Sequence, residues 1–153
     1  MVPRIYTSYY SSPILRQFSH GEVSKISISI HPPKGWVEKG GLHYPPLCPS
    51  ERIFWDVKTT GDKKKYVEEL LQQFNRLDPN KVLSDLFKMS GGKPVILLCY
   101  ESPQPTVGNN NIFCHRTVVS GWLGSKTGLI IPELTQRHVS DLLQKSDGEE
   151  SLF

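Results

Sequence analysis

Cysteine, glutamate, histidine and arginine occur close together in the second half of the chain, on either side of a polar loop. Cys99 and Glu101 lie at the end of the apolar run PVILLCYE, and Cys114, His115 and Arg116 follow the loop as a consecutive triplet. A thiolate can act as a nucleophile, an imidazole as an acid or a base, and a guanidinium as a clamp for phosphate. Together these side chains predict a site that binds an anion and acts on it.

The triplet gains much of this chemistry from its predicted place at the start of a helix over about residues 113–123. The first turn of a helix has unpaired N–H groups and partial positive charge, which attract anions. The same field lowers the pKa of a nearby thiol and so favours the thiolate of Cys114. Arg116 opposes the helix dipole unless an anion or a carboxylate neutralises it, and Glu101 is a candidate for that carboxylate.

Each of these residues also has a structural interpretation. Cysteine is often a small buried apolar residue, which is the favoured interpretation of Cys99 within its apolar strand. His115 is as readily a hydrogen-bonded core histidine as a functional one. A zinc site of Cys48, Cys99, Cys114 and His115 is a further alternative, but no metal is predicted because the spacing differs from the usual short ligand pairs. A disulfide or redox pair of Cys99 and Cys114 stays open, although no CxxC spacing supports it.

Four segments that would position this cluster have the pattern of strands. Residues 4–10 are rich in β-branched and aromatic side chains, and residues 24–30 alternate, with isoleucines on one face and serines on the other. The apolar run 94–100 is typical of a central strand buried on both faces. GLIIPEL, residues 128–134, is predicted to be another strand.

Helical patterns and loops fill the intervals between the predicted strands. Asp62 and Asp78 are placed to cap two helices, and a glycine pair at residues 91 and 92 ends the second. A last helix is predicted from Thr135 onward, before a flexible acidic tail at residues 147–153. The segment 31–50, rich in Pro and Gly, is predicted to be a long loop, and such loops often serve a site.

The alternation of strands and helices predicts one small α/β domain over residues 1–146, with a mainly parallel sheet. In an open parallel sheet, ligands bind beyond the carboxyl ends of the strands. This rule places one set of side chains at a common rim. The set comprises Tyr9, Tyr10 and Ser11 after the first strand, His31, Lys34 and Trp36 after the second, Cys99 and Glu101 after the central strand, and Cys114, His115 and Arg116 on the next helix.

Composition limits the class of protein. The chain has 153 residues, of which 37% are hydrophobic and 22% charged, as is ordinary for a globular protein. No run approaches the roughly 20 apolar residues of a membrane helix, and no secretory signal pattern occurs. We therefore predict a cytoplasmic location and no membrane partner. A net charge of +3 permits a nucleic-acid partner without indicating one. Glycine-rich dinucleotide and ATP loops do not occur, so any cofactor stays unknown.

These motifs resemble the signature of the domain of unknown function 488 family, in the branch with a Pro/Gly loop after the second strand. In that family, a strand ending in Cys and Glu is followed by Cys-His-Arg on a helix, as in VILLCYE and FCHRTVVSGWL here. IYTSYYSS, SISIHPPKGW, LCPSERIFW and LDPNKVLSDLFKMSGG extend the similarity over roughly residues 4–134. The chain departs from the family at Ser29 and His31, where many members have Asp-x-Arg, and in its longer loop after Glu101. The resemblance implies a small Rossmann-like three-layer fold and a pocket at the motif residues.

The expected function is that of a small Rossmann-like protein whose Cys/Glu/Cys-His-Arg pocket binds, with or without processing it, a phosphate-bearing nucleotide or nucleic-acid-related ligand. The candidate catalytic residues are Cys114, Glu101, His115 and Cys99, and the candidate ligand- and anion-binding residues are Arg116, Tyr9, Ser11, His31, Lys34 and Trp36. One alternative is a non-catalytic module that binds nucleic acid or protein through lysines and loop aromatics. Another is an accessory protein in which the motif forms a buried polar network. The reaction, the substrate and the oligomeric state are not predicted.

Overall fold

Four parallel strands form the sheet of the computed structural model, which describes residues 3–19, 21–100 and 115–151, with the backbone alone for 144–151. The strands are β1 (Ile5–Tyr9), β2 (Ser24–Ser27), β3 (Leu42–His43) and β4 (Val95–Cys99), in the order β1-β4-β2-β3. Tyr9 is aligned with Cys99, and Ser27 with Leu98. The carboxyl ends of these strands therefore lie at one side of the sheet, which we call the carboxyl edge. The mainly parallel sheet of the sequence prediction is confirmed.

Five helices are found in the described part of the chain, and their ends follow local signals. They are α1 (Glu51–Thr60), α2 (Lys63–Phe74), α3 (Pro79–Ser90), α4 (His115–Thr127) and α5 (Gln136–Ser151). The side chains of Asp62 and Asp78 accept hydrogen bonds from the first turns of α2 and α3, as predicted. Gly91 ends α3 with a φ of 62°, a left-handed conformation that glycine adopts without steric cost. Not one of the described helices has the length and apolar character needed to cross a membrane.

Helices and loops cover both faces of the sheet. Helices α1 to α4 contribute buried side chains such as Leu70 and Val119 to a core with Ile26 and Leu97. The opposite face packs against Leu15 of a short 3-10 turn, the first part of α5 and the loop that contains Trp36. The result is a three-layer, Rossmann-like α/β fold, as the sequence predicts.

The predicted strand at residues 128–134 is wrong. This segment makes only an isolated bridge between Thr7 and Glu133, with hydrogen bonds from Thr7 N to Pro132 O and from Leu134 N to Thr7 O. Pro132 has no N–H to donate to a ladder, which limits pairing with β1 to this short stretch. The bridge nevertheless matters, because it holds Glu133 beside β1.

The sequence prediction missed β3 and α1. Strand β3 has two residues, paired with Ile26 and Ser27, and two residues are too few to show an alternating pattern. Helix α1 buries Ile53 and leaves Trp55 exposed. Helix α5 extends to Ser151 and so includes most of the segment predicted as a tail. The flexibility of that tail and the single-domain boundary remain predictions.

Candidate functional site

The end of β4 and the start of α4 bring four of the predicted residues together at the carboxyl edge. Cys99 is the last residue of β4 and Tyr9 the last residue of the neighbouring β1. His115 and Arg116 open α4, which packs against both strands. Cys99 and Arg116 are only 1% and 2% exposed, so their contact is shielded from water.

Arg116 is held by a bidentate ion pair. Its Nε donates to Glu133 Oε1 at 2.9 Å, and its Nη2 donates to Glu133 Oε2 at 3.0 Å. Glu133 Oε1 also accepts a hydrogen bond of 2.7 Å from Thr7 Oγ1. Two parallel bonds between a guanidinium and a carboxylate fix the orientation of both groups. Glu133 is therefore a carboxylate partner of Arg116, a role that the sequence suggested for Glu101.

The third nitrogen of the guanidinium contacts the predicted cysteine. Arg116 Nη1 lies 2.9 Å from Cys99 Sγ, and Arg116 Cζ lies 5.7 Å from the centre of the Tyr9 ring. Cys99 is disulfide-bonded. A guanidinium beside a sulfur stabilises the thiolate relative to the thiol once the sulfur is reduced. The contact gives Cys99 an electrostatic environment that a purely apolar strand residue would lack.

His115 ties α4 to the end of β2. Its Nε2 donates a hydrogen bond of 2.6 Å to the carbonyl oxygen of Ile28, so the ring proton lies on Nε2. Burial lowers the pKa of His115 to about 4, and the positive charge of Arg116 also lowers it. The hydrogen bond to Ile28 acts in the opposite direction but is outweighed. The imidazole is therefore neutral at pH 7. It serves as a buried donor in this structure rather than as an imidazolium.

An aromatic cluster borders the same edge on the other face of the sheet. We call Tyr10, Trp36 and Tyr100 the aromatic rim, since the Tyr10 ring lies 5.1 Å from Trp36 and 4.7 Å from Tyr100 in edge-on contacts. Tyr10 Oη donates to Ser29 Oγ at 3.0 Å and shares a 2.6 Å hydrogen bond with Ser27 Oγ. The serine face of β2 is therefore buried, as is its isoleucine face. Tyr100, which follows Cys99 directly, is 52% exposed and presents its ring to solvent.

The remaining predicted residues occupy varied positions. The carbonyl oxygen of exposed His31 accepts a 2.7 Å hydrogen bond from Tyr100 Oη. Trp36 is half-buried, and its Nε1 donates to Leu42 O at 2.7 Å while the backbone of Gly41 lies against the indole. Ser11 and Lys34 are exposed in loops. Glu101 and Cys114 lie outside the described residues, so their assigned roles stay predictions.

Cys48 lies apart from the Arg116 cluster. Its Sγ is 3.3 Å from His43 Nε2 and 3.4 Å from Ser29 O, and burial raises the pKa of this free thiol to about 12. His43 Nε2 must donate to Ser29 O at 2.9 Å, so it does not accept the thiol proton. The described residues contain no group of three or more His, Cys, Asp or Glu that could hold a metal.

Sequence reasoning missed Glu133, Thr7 and Tyr100. The opposition between Arg116 and the dipole of α4 did signal that a carboxylate was needed. Its identity depends on the bridge between Thr7 and Glu133, residues 126 positions apart, which no local pattern reveals. Tyr100 directly follows the buried strand β4, and the sequence pattern does not distinguish it from the buried residues before it. Its exposure is apparent only in the structure.

Comparison with known proteins identifies a family. A family model with the description "Active DUF488-N3 subclade" matches residues 10–127. No curated protein and no solved structure matches the chain. The matched range includes β4, the start of α4 and the aromatic rim, whereas Thr7, Tyr9 and Glu133 fall outside it.

Proposed function

The chain belongs to the DUF488-N3a family, the active DUF488-N3 subclade, and on this premise we propose that it binds and chemically processes a phosphate-bearing nucleotide or nucleic-acid-related ligand at the carboxyl edge. The observation that carries the proposal is the 2.9 Å contact between Arg116 Nη1 and Cys99 Sγ, where a parallel strand ends. Cys99 then supplies the reacting sulfur, and Arg116 stabilises that sulfur as a thiolate.

The charges around the sulfur favour this role. Glu133 contacts Nε and Nη2 of the guanidinium, whereas the sulfur contacts Nη1, so a positively charged N–H group is the direct neighbour of Cys99. Near-complete burial of both residues weakens solvent screening of this interaction. Cys99 is disulfide-bonded in the structure, so the proposed chemistry belongs to the chain in which this bond has been reduced.

Two neighbouring features support a nucleotide as the ligand. The exposed ring of Tyr100, braced edge-on by Tyr10, offers a surface on which a base can stack. The first turn of α4 lies beside the end of β4, and helix amino-terminal N–H groups attract phosphate. Base and phosphate would then lie at the same edge as Cys99.

The exposed aromatic ring provides a test of ligand binding. We expect at least one member of a panel of nucleoside monophosphates and short single-stranded oligonucleotides to raise the thermal unfolding midpoint of the reduced chain. Tyr100→Ala should weaken the binding of that ligand by about tenfold, because base stacking contributes about 1–3 kcal/mol. Trp55→Ala is the matched control, because Trp55 is 57% exposed on α1, on the helical side of the sheet. The proposal fails if no panel member binds, or if both variants bind as tightly as wild type.

Recovery of the ligand separates catalysis from binding alone. After incubation with wild-type chain, chromatography should reveal a changed ligand, and Cys99→Ser should leave it unchanged while still binding it. A non-catalytic nucleic-acid-binding module would instead return the ligand intact with both proteins.

A further inference from the structure

A cavity of about 810 Å³ lies at the amino ends of β2 and β3, at the opposite end of the strands from Cys99. We call it the amino-edge pocket. We propose that this pocket binds a compact anion that carries two or more phosphate groups. Its walls come from the first residues of β2, the loop that ends at Leu42, the end of α3 and the segment before β4.

The charge of the lining is the first argument. Four lysines and no acidic residue line the cavity: Lys25, Lys39, Lys88 and Lys93. Among the lysines outside the cavity, Lys65 contacts Asp56 at 3.3 Å and Lys81 contacts Asp85 at 3.0 Å. Within the described residues, none of the four pocket lysines has a carboxylate oxygen within 4.0 Å. The cavity therefore concentrates positive charge, although Lys88 also interacts electrostatically with Asp85 from beyond ion-pair distance.

Lys25 is the most site-like of the four. It belongs to β2, where it is aligned with the buried Ile96, and its side chain is only partly exposed. Burial lowers the pKa of Lys25, because the charged ammonium loses hydration without gaining a carboxylate. A bound phosphate would supply the missing counter-charge.

The end of α3 does not prevent anion binding. Its last carbonyl oxygens accept backbone hydrogen bonds, from Gly91 N to Lys88 O at 3.2 Å, from Gly92 N to Phe87 O at 3.1 Å and from Lys93 N to Ser90 O at 3.2 Å. A helix carboxyl terminus carries the equivalent of roughly half a negative charge. Four ammonium groups outweigh that charge, so the pocket stays attractive to an anion.

The arrangement of the lysines favours a compact ligand over an extended strand. They come from four separate segments around one cavity, so several can reach the same group of phosphates at once. Lysine binds phosphate as a compact point charge with three rotatable donors, which suits a cluster of oxygens. Lys93 precedes Cys99 by six residues, which is about 20 Å along an extended strand. Trp36 of the aromatic rim also lines the pocket, but none of the four lysines belongs to the carboxyl-edge site, so the pocket does not depend on the carboxyl-edge proposal.

Calorimetric titration with inorganic tripolyphosphate tests the pocket. Wild type should bind the probe, and Lys25→Gln/Lys93→Gln should weaken binding by about tenfold or more, since charge-assisted hydrogen bonds are lost. Lys64→Gln/Lys126→Gln removes the same charge from exposed positions outside the pocket and should bind like wild type. Thermal unfolding of each variant checks that it is folded.

Each other outcome has a defined meaning. The proposal is overturned if wild type does not bind tripolyphosphate, or if both lysine pairs weaken binding equally, as general charge attraction would require. It is also overturned if Tyr100→Ala weakens tripolyphosphate binding as much as the pocket pair does, because the probe would then lie at the carboxyl edge. A parallel titration with a nucleoside triphosphate distinguishes the sources. If the nucleoside triphosphate binds more tightly than tripolyphosphate, and Lys25→Gln/Lys93→Gln abolishes this binding, the ligand is a nucleotide. If the two probes bind with equal affinity, the pocket recognises the phosphate chain alone.

Discussion

Glu133→Gln should lower the free energy of unfolding by about 3 kcal/mol, more than Arg116→Met, although both changes break the same ion pair. Glu133→Gln leaves the charge of Arg116, which is 2% exposed, without its bidentate carboxylate. Arg116→Met removes the buried charge itself. The Glu133 side chain that remains is 34% exposed, so water can hydrate it, and it keeps its hydrogen bond from Thr7. We expect a loss of about 1–2 kcal/mol for Arg116→Met.

Urea unfolding followed by circular dichroism measures this asymmetry. The double variant should be about as stable as Arg116→Met alone, since Glu133 loses its importance once the guanidinium is absent. Glu68→Gln is the control, because Glu68 is an exposed carboxylate outside the described ion pairs, and it should change stability by less than about 0.5 kcal/mol. Equal losses for Glu133→Gln and Arg116→Met would contradict the account of a buried charge that the Glu133 carboxylate stabilises.

Acid should destabilise the chain through His115. Burial lowers the pKa of His115 from 6.5 to about 4, so the unfolded chain takes up a proton at this residue before the folded chain does. The contribution of neutral His115 to the free energy of unfolding is therefore fully present above pH 6.5 and declines as the pH falls to about 4. The total loss from this residue is about 3 kcal/mol. Hydrogen bonds from Tyr44 and Lys81 lower the pKa of Asp85. Protonation of such carboxylates causes a further loss of stability at still lower pH.

Matched histidine variants isolate this contribution. His115→Gln keeps an amide donor for Ile28 O but cannot titrate, so its stability should depend much less on pH between 6.5 and 4. His31→Gln removes an exposed imidazole and should retain the wild-type slope. Urea midpoints measured across this range provide the comparison. A wild-type slope in His115→Gln would mean that another group causes the acid sensitivity.

Local signals in the sequence were sufficient for the elements with strong caps and uniform burial. Asp62, Asp78 and Gly91 act through hydrogen bonds and dihedral angles within a few residues, so the limits of α2 and α3 follow from the sequence. Strand β4 is buried on both faces and therefore reads as a continuous apolar run. GLIIPEL is also rich in Leu and Ile, but its proline limits pairing and Ile130 is exposed. An apolar run alone does not distinguish a central strand from a segment that makes only an isolated bridge.

The candidate site was predictable as a location but not as a network. The rule for parallel sheets placed Tyr9, Cys99 and Arg116 at one edge, and the structure brings them together. The choice of Glu133 as the carboxylate depends on a tertiary bridge, and the exposure of Tyr100 depends on what covers the strand end. Both are properties of packing between segments far apart in the chain.

The pKa of the Cys99 thiol tests the central claim most directly. The chain has three cysteines, so Cys48→Ala/Cys114→Ser leaves Cys99 as the only thiol, and its ionisation can be followed by the ultraviolet absorbance of the thiolate. We predict that the pKa of Cys99 in the folded protein lies below that of the same chain in urea. Adding Arg116→Met should raise the folded-state pKa to the unfolded value or above it, because burial then acts alone. In the chain that keeps Arg116, a folded-state pKa at or above the unfolded value, as burial alone produces for Cys48, would contradict the account.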